Sequence, residues 1–421
     1  MNITPARRID YWIGIPICFF LSIYNRINNL FNKKDILLKE PKKFLFIELS
    51  EMGSAILAYP AMRYIKNNYP DAELFFLIFE KNRPSVDILK IIEKENVYTI
   101  RDNSFLMLFK DAMNVLSKIR AEEFDVVFDL EFFTRITAIL TFLSKAKKKV
   151  GFFKYKMEGL YRGRLLTHEL QFNWSQHISK TFLSFPKVLK EPEKHSPEIA
   201  EVSEKDEITL PTYSSTEENL NTIWRKLKAR NNSISRSHRL IILTPGAGEL
   251  PIRGWPLENY IELGRKLLQD KSNYLVFTGT KKDKEETKSI IKKLENPQCI
   301  DLTGETNFTE LVDLFNLCDL LIVCDSGPAH FATLTRIQSI VLFGPGSPKI
   351  WSPLGDKTSI VYAGLPCSPC LTAFNHRNTK CENNLCMQSI SVEEVFRIAC
   401  EKLKRDPDST PRSQELQQEI D

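Results

Sequence analysis

Residues 303–332 read TGETNFTELVDLFNLCDLLIVCDSGPAHFA. The spacing of Phe308, Leu311, Val312, Leu314 and Phe315 predicts a helix over 308–316. The run LLIVC at 320–324 is wholly apolar and short, as expected of a strand buried on both faces. It ends in DSGPAH, a small-residue turn that runs into a second helix. Helix, buried strand, tight turn and helix in this order are the repeating unit of a parallel, doubly wound sheet.

The same unit recurs on both sides of this block. Upstream, 240–243 (LIIL) is a strand ending in TPGAGE, followed by a helix over 257–269, a strand over 274–278 ending in Gly279, and a helix over 284–293. Downstream, 339–343 is a strand ending in GPGSP. The four turns at 244–249, 279–280, 325–330 and 344–348 all follow strand C-termini, where open α/β sheets bind ligands. Their backbone N–H groups suit a phosphate or diphosphate.

A second set of elements precedes them. FLFIEL at 44–49 is a strand whose loop SEMGS enters a helix over 55–68. ELFFLIF at 73–79, residues 97–100, FDVVFDL at 124–130 and residues 148–153 are further strands, with helices over 104–120 and up to residue 144. Residues 191–238 turn rich in Glu, Lys, Ser, Asn and Pro. They read as a linker, with an edge strand at 208–210 and one helix around 220–227. The expected organisation is α/β, with two Rossmann-like domains (43–190 and 239–405) facing across a cleft. Residues 1–42 precede them, and a polar, disordered tail follows at 406–421.

A chain of 421 residues with 43% hydrophobic and 26% charged residues is an ordinary globular composition for two domains. Its 58 Lys and Arg against 53 Asp and Glu leave a net charge of +5, too weak to imply nucleic acid. The N-terminal run YWIGIPICFFLSIY at 11–24 is flanked by Arg7, Arg8, Arg26, Lys33 and Lys34. It is shorter than the roughly 20 apolar residues of a spanning helix. Phe20, Ile23, Tyr24, Ile27, Leu30 and Phe31 keep a helical spacing. The pattern suits a helix lying in a membrane interface, with basic residues on anionic lipid. The alternatives are a helix packed on its own domain and a signal sequence, although no small-residue cleavage site follows.

Of nine cysteines, Cys367, Cys370, Cys381 and Cys386 cluster near the C-terminus. A C-x-x-C pair followed by two more has the arithmetic of a structural zinc site, and His376 lies between the pairs. Disulfides and reduced packing cysteines are the other readings.

Several ordered blocks resemble the heptosyltransferase family of lipopolysaccharide-core glycosyltransferases, glycosyltransferase family 9. They are FLFIELSEMGSAILAYPAMRYIKNNYPDAEL at 44–74, LTPGAG at 243–248, RGWPLENYIEL at 253–263, the block quoted first, and FGPGSPKIWSPLGD at 343–356. The resemblance spans about residues 43–403. It implies a GT-B fold whose C-terminal half binds an ADP-sugar, typically ADP-heptose, and whose N-terminal half presents a lipid-linked saccharide acceptor. The implied reaction is one inverting displacement with no required metal, in the cytoplasm at the surface of the inner membrane. Thr244, Pro245, Gly246 and Gly279 line the implied donor side, with Arg253 as a diphosphate clamp. Asp325, Ser326 and Gly327 form the signature turn. Asp325 either bonds sugar hydroxyls or orders the loop, and His330 either supports the turn or touches the donor.

One position departs from the family pattern. Its general base is an Asp directly after the glycine of the first loop, where this chain has Ser54. Glu51 in the same loop and Asp129 at the end of FDVVFDLE are the candidate bases. Ser54 and Glu131 are candidate acceptor contacts. The missing Asp keeps open a sugar-nucleotide-binding protein without catalysis, and a GT-B-shaped epimerase.

Overall fold

Short apolar runs such as ELFFLIF have side chains to bury on both sides, and only a sheet covered by helices on both faces accepts them. The structure is a computed structural model. It describes residues 5–31, 40–132, 134–154, 160–190, 208–248, 250–375, 377 and 379–404. The chain divides into two units, Met1–Leu210 with Leu371–Thr379, and Pro211–Cys370 with Lys380–Asp421.

The N-terminal unit holds β1 (Lys43–Ile47), β2 (Glu73–Phe79), β3 (Val97–Ile100), β4 (Val126–Asp129), β5 (Lys148–Phe152) and β6 (His168–Leu170). They pair in the order β3-β2-β1-β4-β5-β6, all parallel. One face of the sheet packs Leu45, Ile47, Leu77 and Val127 against Val115, Leu116 and Ile119 of the helix Phe105–Glu122. Phe46 and Phe128 lie 5.0 Å apart between ring centroids, on neighbouring strands of this sheet.

The C-terminal unit repeats the plan with β7 (Arg239–Thr244), β8 (Asn273–Phe277), β9 (Cys299–Asp301), β10 (Leu320–Cys324), β11 (Gln338–Phe343) and β12 (Thr358–Tyr362). Their order, β12-β11-β10-β7-β8-β9, is the same doubly wound arrangement, again all parallel. In each sheet the strand order reverses between the first and fourth strands, at β1/β4 and at β7/β10. That reversal opens the loops that carry ligand sites in such folds.

The expected linker is the main difference. Residues 211–238 belong to the C-terminal unit. The helix Glu217–Arg230 buries Ile223 and Leu227, and Lys226 Nζ lies 2.6 Å from Glu310 Oε1. Tyr213 is held at both ends, its N–H on Leu334 O and its hydroxyl on Asp313. A polar composition therefore concealed a two-sided helix that docks through its few apolar residues. Residues 208–210 form no strand. The single helix expected over 55–68 is two, Met52–Leu57 and Tyr59–Asn68. The strands β6, β9 and β12 went unread because their sequences, HEL, CID and TSIVY, are too short or too polar to stand out. The 406–421 tail and residues 191–207 lie outside the described residues.

Candidate functional site

Because β1 and β4 are neighbours running in parallel, the residues that follow Ile47 and Asp129 emerge together. Glu48 and Glu131 are both buried there, and Ser50 Oγ donates to Glu131 Oε2 at 2.9 Å. Burial pushes the Glu48 carboxyl well above the usual range, and the charges of Glu131 and Glu51 push it the same way.

Asp129 is fully buried. Arg162 Nη2 reaches it at 2.5 Å and also donates to Thr137 Oγ1 at 2.7 Å, while Nη1 donates to the Glu131 carbonyl at 2.7 Å. Burial raises the Asp129 carboxyl to about 6, against the downward pull of Arg162. Of the two expected bases Asp129 has no exposure. Glu51 is more open, its side chain 29% exposed. It stands at the N-cap of Met52–Leu57 without capping it. Both Glu51 carboxylate oxygens instead meet both terminal nitrogens of Arg377, with Nη2–Oε2 at 3.1 Å. Arg377 comes from Leu371–Thr379, the segment that leaves the C-terminal half to join this unit. Ser54 is buried in its short helix.

The segment 161–164 links this loop to the N-terminal helices Pro5–Trp12 and Gly14–Phe31. Tyr161 O accepts from Arg135 Nε at 2.8 Å, and Arg135 Nη1 is 2.7 Å from Asp10. Arg164 N–H donates to Ser22 Oγ at 2.8 Å, and Asn25 Nδ2 donates to Arg164 O at 3.0 Å. Gly163 takes φ +72°, and a β-carbon there would lie 2.5 Å from Ser22 Oγ and 2.6 Å from Cys18 O. Asp10, Gly14, Cys18, Ser22 and Asn25 thus form the face that docks. Trp12, Phe19, Phe20, Ile23, Tyr24, Ile27 and Leu30 are exposed. The element packs on its own domain, and its outer face carries exposed apolar side chains. Pro16 sits in the first turn of Gly14–Phe31, where a missing N–H costs nothing. Among the described residues no helix is long and apolar enough to cross a membrane.

In the C-terminal unit the loops after β7 and β8 meet through Asp283. Its carboxylate accepts from Thr280 N–H at 2.6 Å and from Thr280 Oγ1 at 2.7 Å. A β-carbon on Gly246 would lie 2.5 Å from Asp283 Cγ, and one on Gly279 3.0 Å from Asp283 Oδ2. Those two glycines have a protein partner that explains them, and the group between them is an anion. Pro245 is buried beside them, and Thr244 and Thr278 share a hydroxyl contact of 2.8 Å.

The charged centre of this unit is Arg253 with Asp325. Arg253 Nη1 donates to Asp325 O at 3.2 Å, and its Nε lies 3.6 Å from Asp325 Oδ2. That Nε is buried and makes no hydrogen bond among the described residues. Gly346 lets Asp325 approach, since a β-carbon there would lie 2.6 Å from Asp325 Oδ2. A β-carbon on Gly327 would meet only Phe331, at an ordinary 3.4 Å, so the protein itself does not require glycine there. Ser326 Oγ donates to Cys324 O, and His330 is buried in the helix Gly327–Ala332. That helix has six residues.

Around Arg253, Trp255 is buried with its indole N–H on Ile390 O at 3.1 Å. Asn384 Nδ2 donates to Ile252 O at 3.1 Å and to Gly254 O at 2.8 Å. Ser368 Oγ donates to Gly344 O, and Cys370 N–H to Pro345 O at 3.0 Å. The cysteine-rich segment therefore braces two of the loops. Cys367 and Cys381 are exposed and Cys386 is buried. Among the described residues no group of three or more His, Cys, Asp or Glu could hold a metal ion. His376 lies outside the described residues.

Glu48, Arg162, Arg377 and Asn384 escaped the sequence reading. A buried acid at a strand end was the one available signal, for Glu48.

Against known proteins, lipopolysaccharide heptosyltransferase 2 of Salmonella typhimurium is 31% identical over 140 residues, 32% of this chain and 40% of that protein. The chain thus matches less than half the length of that relative. Lipopolysaccharide heptosyltransferase 3 of Escherichia coli is 21% identical over 86% of this chain and 99% of its own. The solved ADP-heptose lipopolysaccharide heptosyltransferase II of Escherichia coli superposes with a TM-score of 0.65 at 20% identity, covering 86% of this chain and 98% of its own. That likeness and the two doubly wound sheets place the fold in the GT-B class. The model of glycosyltransferase family 9 (heptosyltransferase) matches residues 113–380, more than half of the sequence, and the chain belongs to that family.

Proposed function

We propose that the chain is an inverting glycosyltransferase that moves a heptose-like sugar from an ADP donor to a lipopolysaccharide-core or other lipid-linked saccharide. Family membership and the heptosyltransferase names of its relatives support the reaction class. The observation that carries the donor site is Arg253. Its guanidinium lies at the β10 turn against Asp325, with Nε buried and 3.6 Å from Asp325 Oδ2, beside a Gly327 that no close protein contact explains.

In this reading an acceptor hydroxyl oxygen attacks the anomeric carbon as the bond to the diphosphate oxygen breaks. The hydroxyl proton passes to Glu51, which Arg377 orients. Arg253 meets the charge that develops on the leaving diphosphate. Asp129, under Arg162, acts as a positioning residue for the Glu131 loop. The exposed apolar face of Gly14–Phe31 rests on the membrane that holds the acceptor, and the cytoplasmic surface of the inner membrane is its place.

The test is product analysis by mass spectrometry, with ADP-heptose and a heptose-deficient core glycolipid. Transfer is expected. An epimerised nucleotide, or an unchanged donor that nonetheless binds, would replace the reading. Arg253→Ala should weaken ADP binding by about 1.5–3 kcal/mol, as for a hydrogen bond to a charged group. Unchanged affinity by calorimetry would take Arg253 out of the site.

A further inference from the structure

The helix Phe105–Glu122 is apolar on two sides. Ala112, Val115, Leu116 and Ile119 face the sheet and are buried. Phe105, Leu106, Phe109 and Met113 are exposed, Leu106 by 79% and Phe109 by 57%. Their spacing sets them along one outward strip over the first turns of the helix. A run of large apolar side chains turned to water on an otherwise paired helix marks a surface that something covers.

The place of this strip in the fold is specific. The helix starts right after β3, which runs parallel to β2 and, through it, to β1. Its first turns therefore stand at the same edge of the sheet as the loops after β1 and β4, with Glu51 and Glu131. The charge around the strip is also one-sided. Asp111 is the acidic residue of this half of the helix, and Arg101 from the preceding turn takes it with two hydrogen bonds of 2.8 Å. The Arg101 hydrogen bonds hold its carboxyl down to about 2, so it stays paired. Lys110 remains exposed within the strip. The N-terminal helices show the same economy, since Asp10 is taken by Arg135 while the outer face is apolar. Apolar side chains at the ligand edge, one exposed cation and a neutralised acid are complementary to an anionic lipid surface.

We propose that Phe105, Leu106, Phe109 and Met113 form a second lipid-contacting surface, separate from the N-terminal helix, that seats the acceptor edge of the N-terminal unit on an anionic bilayer. The inference rests on the lipid-linked acceptor proposed above and adds where the enzyme meets the lipid.

The experiment uses the full chain with Leu106→Glu and Phe109→Glu combined. The probes are vesicles of phosphatidylglycerol and phosphatidylethanolamine, and the same mixture without the anionic lipid. Both positions are exposed, so the thermal midpoint should match the wild type, and Leu106→Ser with Phe109→Ser serves if the acidic pair does not fold. Vesicle binding should fall by at least roughly tenfold, since the loss of even one of the two side chains' apolar burial amounts to that. Transfer to the glycolipid in vesicles should fall with it, while transfer to a delipidated core oligosaccharide stays within about twofold. Vesicle binding equal to wild type overturns the proposal. So does a wild-type dimer that the variant converts to monomer with lipid binding intact, which would make the strip a contact between copies. If no acceptor is glycosylated at all, the functional reading fails, and the vesicle measurement still decides this one.

Discussion

Glu48 has its carboxyl sealed under the β1 loop, and its folded pKa is raised well above the ordinary value, chiefly by burial. The folded state then holds a proton that the unfolded chain has released. The stability this contributes is complete below the ordinary carboxylate range and is lost as pH rises toward the folded pKa. Glu48→Gln removes the dependence. Urea midpoints at about pH 5 and about pH 8 should differ less in the variant than in the wild type, and an equal difference would mean that Glu48 ionises freely. Glu51→Gln tests the base. Turnover should fall at least about 10²-fold with donor affinity nearly unchanged. Arg377→Gln should lower turnover less, because the carboxylate stays in place and loses only the partner that orients it. A flat response to both changes would place the base elsewhere. Glu51 and Asp129 were both legible as acids at strand ends. Their separation into an open carboxylate and a buried one was not, because the deciding arginines lie 326 and 33 residues away in sequence.

The helix Gly14–Phe31 docks by small and polar residues together with Leu21, and leaves most of its large apolar side chains outside. The docking is steric as much as polar. Gly163 needs a positive φ and lies against the Cys18 carbonyl. Gly163→Val should cost about 1–3 kcal/mol from backbone strain alone, read as a lower urea midpoint. Since Arg162 is the adjacent residue and holds both Asp129 and the Glu131 carbonyl, turnover should fall as well. Stability lost with turnover unaffected would show that the helix is no support for the acceptor loop. The sequence spacing suited an interfacial helix, with a helix packed on its own domain as the alternative. Only the docked partner shows which face is the buried one.

For the molecule as a whole, a net charge of +5 is a weak field. Binding to anionic vesicles should therefore depend more on apolar insertion than on long-range attraction. Raising salt from about 0.05 M to about 0.5 M should leave roughly half or more of the protein bound, by co-sedimentation. Complete release would make the contact electrostatic and remove the apolar faces from the account. The two doubly wound halves could be read directly from the chain, because a parallel strand buried on both sides must be a short apolar run and its turn must be small. These are local demands, met within a few residues. Tertiary structure alone decided that residues 211–238 pack on the C-terminal unit and that residues 371–379 bring Arg377 to Glu51. It also decided that Asp283 fills the space beside Gly246 and that Ser368 and Cys370 brace the loop at Gly344 and Pro345. Each of these outcomes depends on which side chains meet after the chain has folded back over long separations, and a pattern of near neighbours carries no record of that.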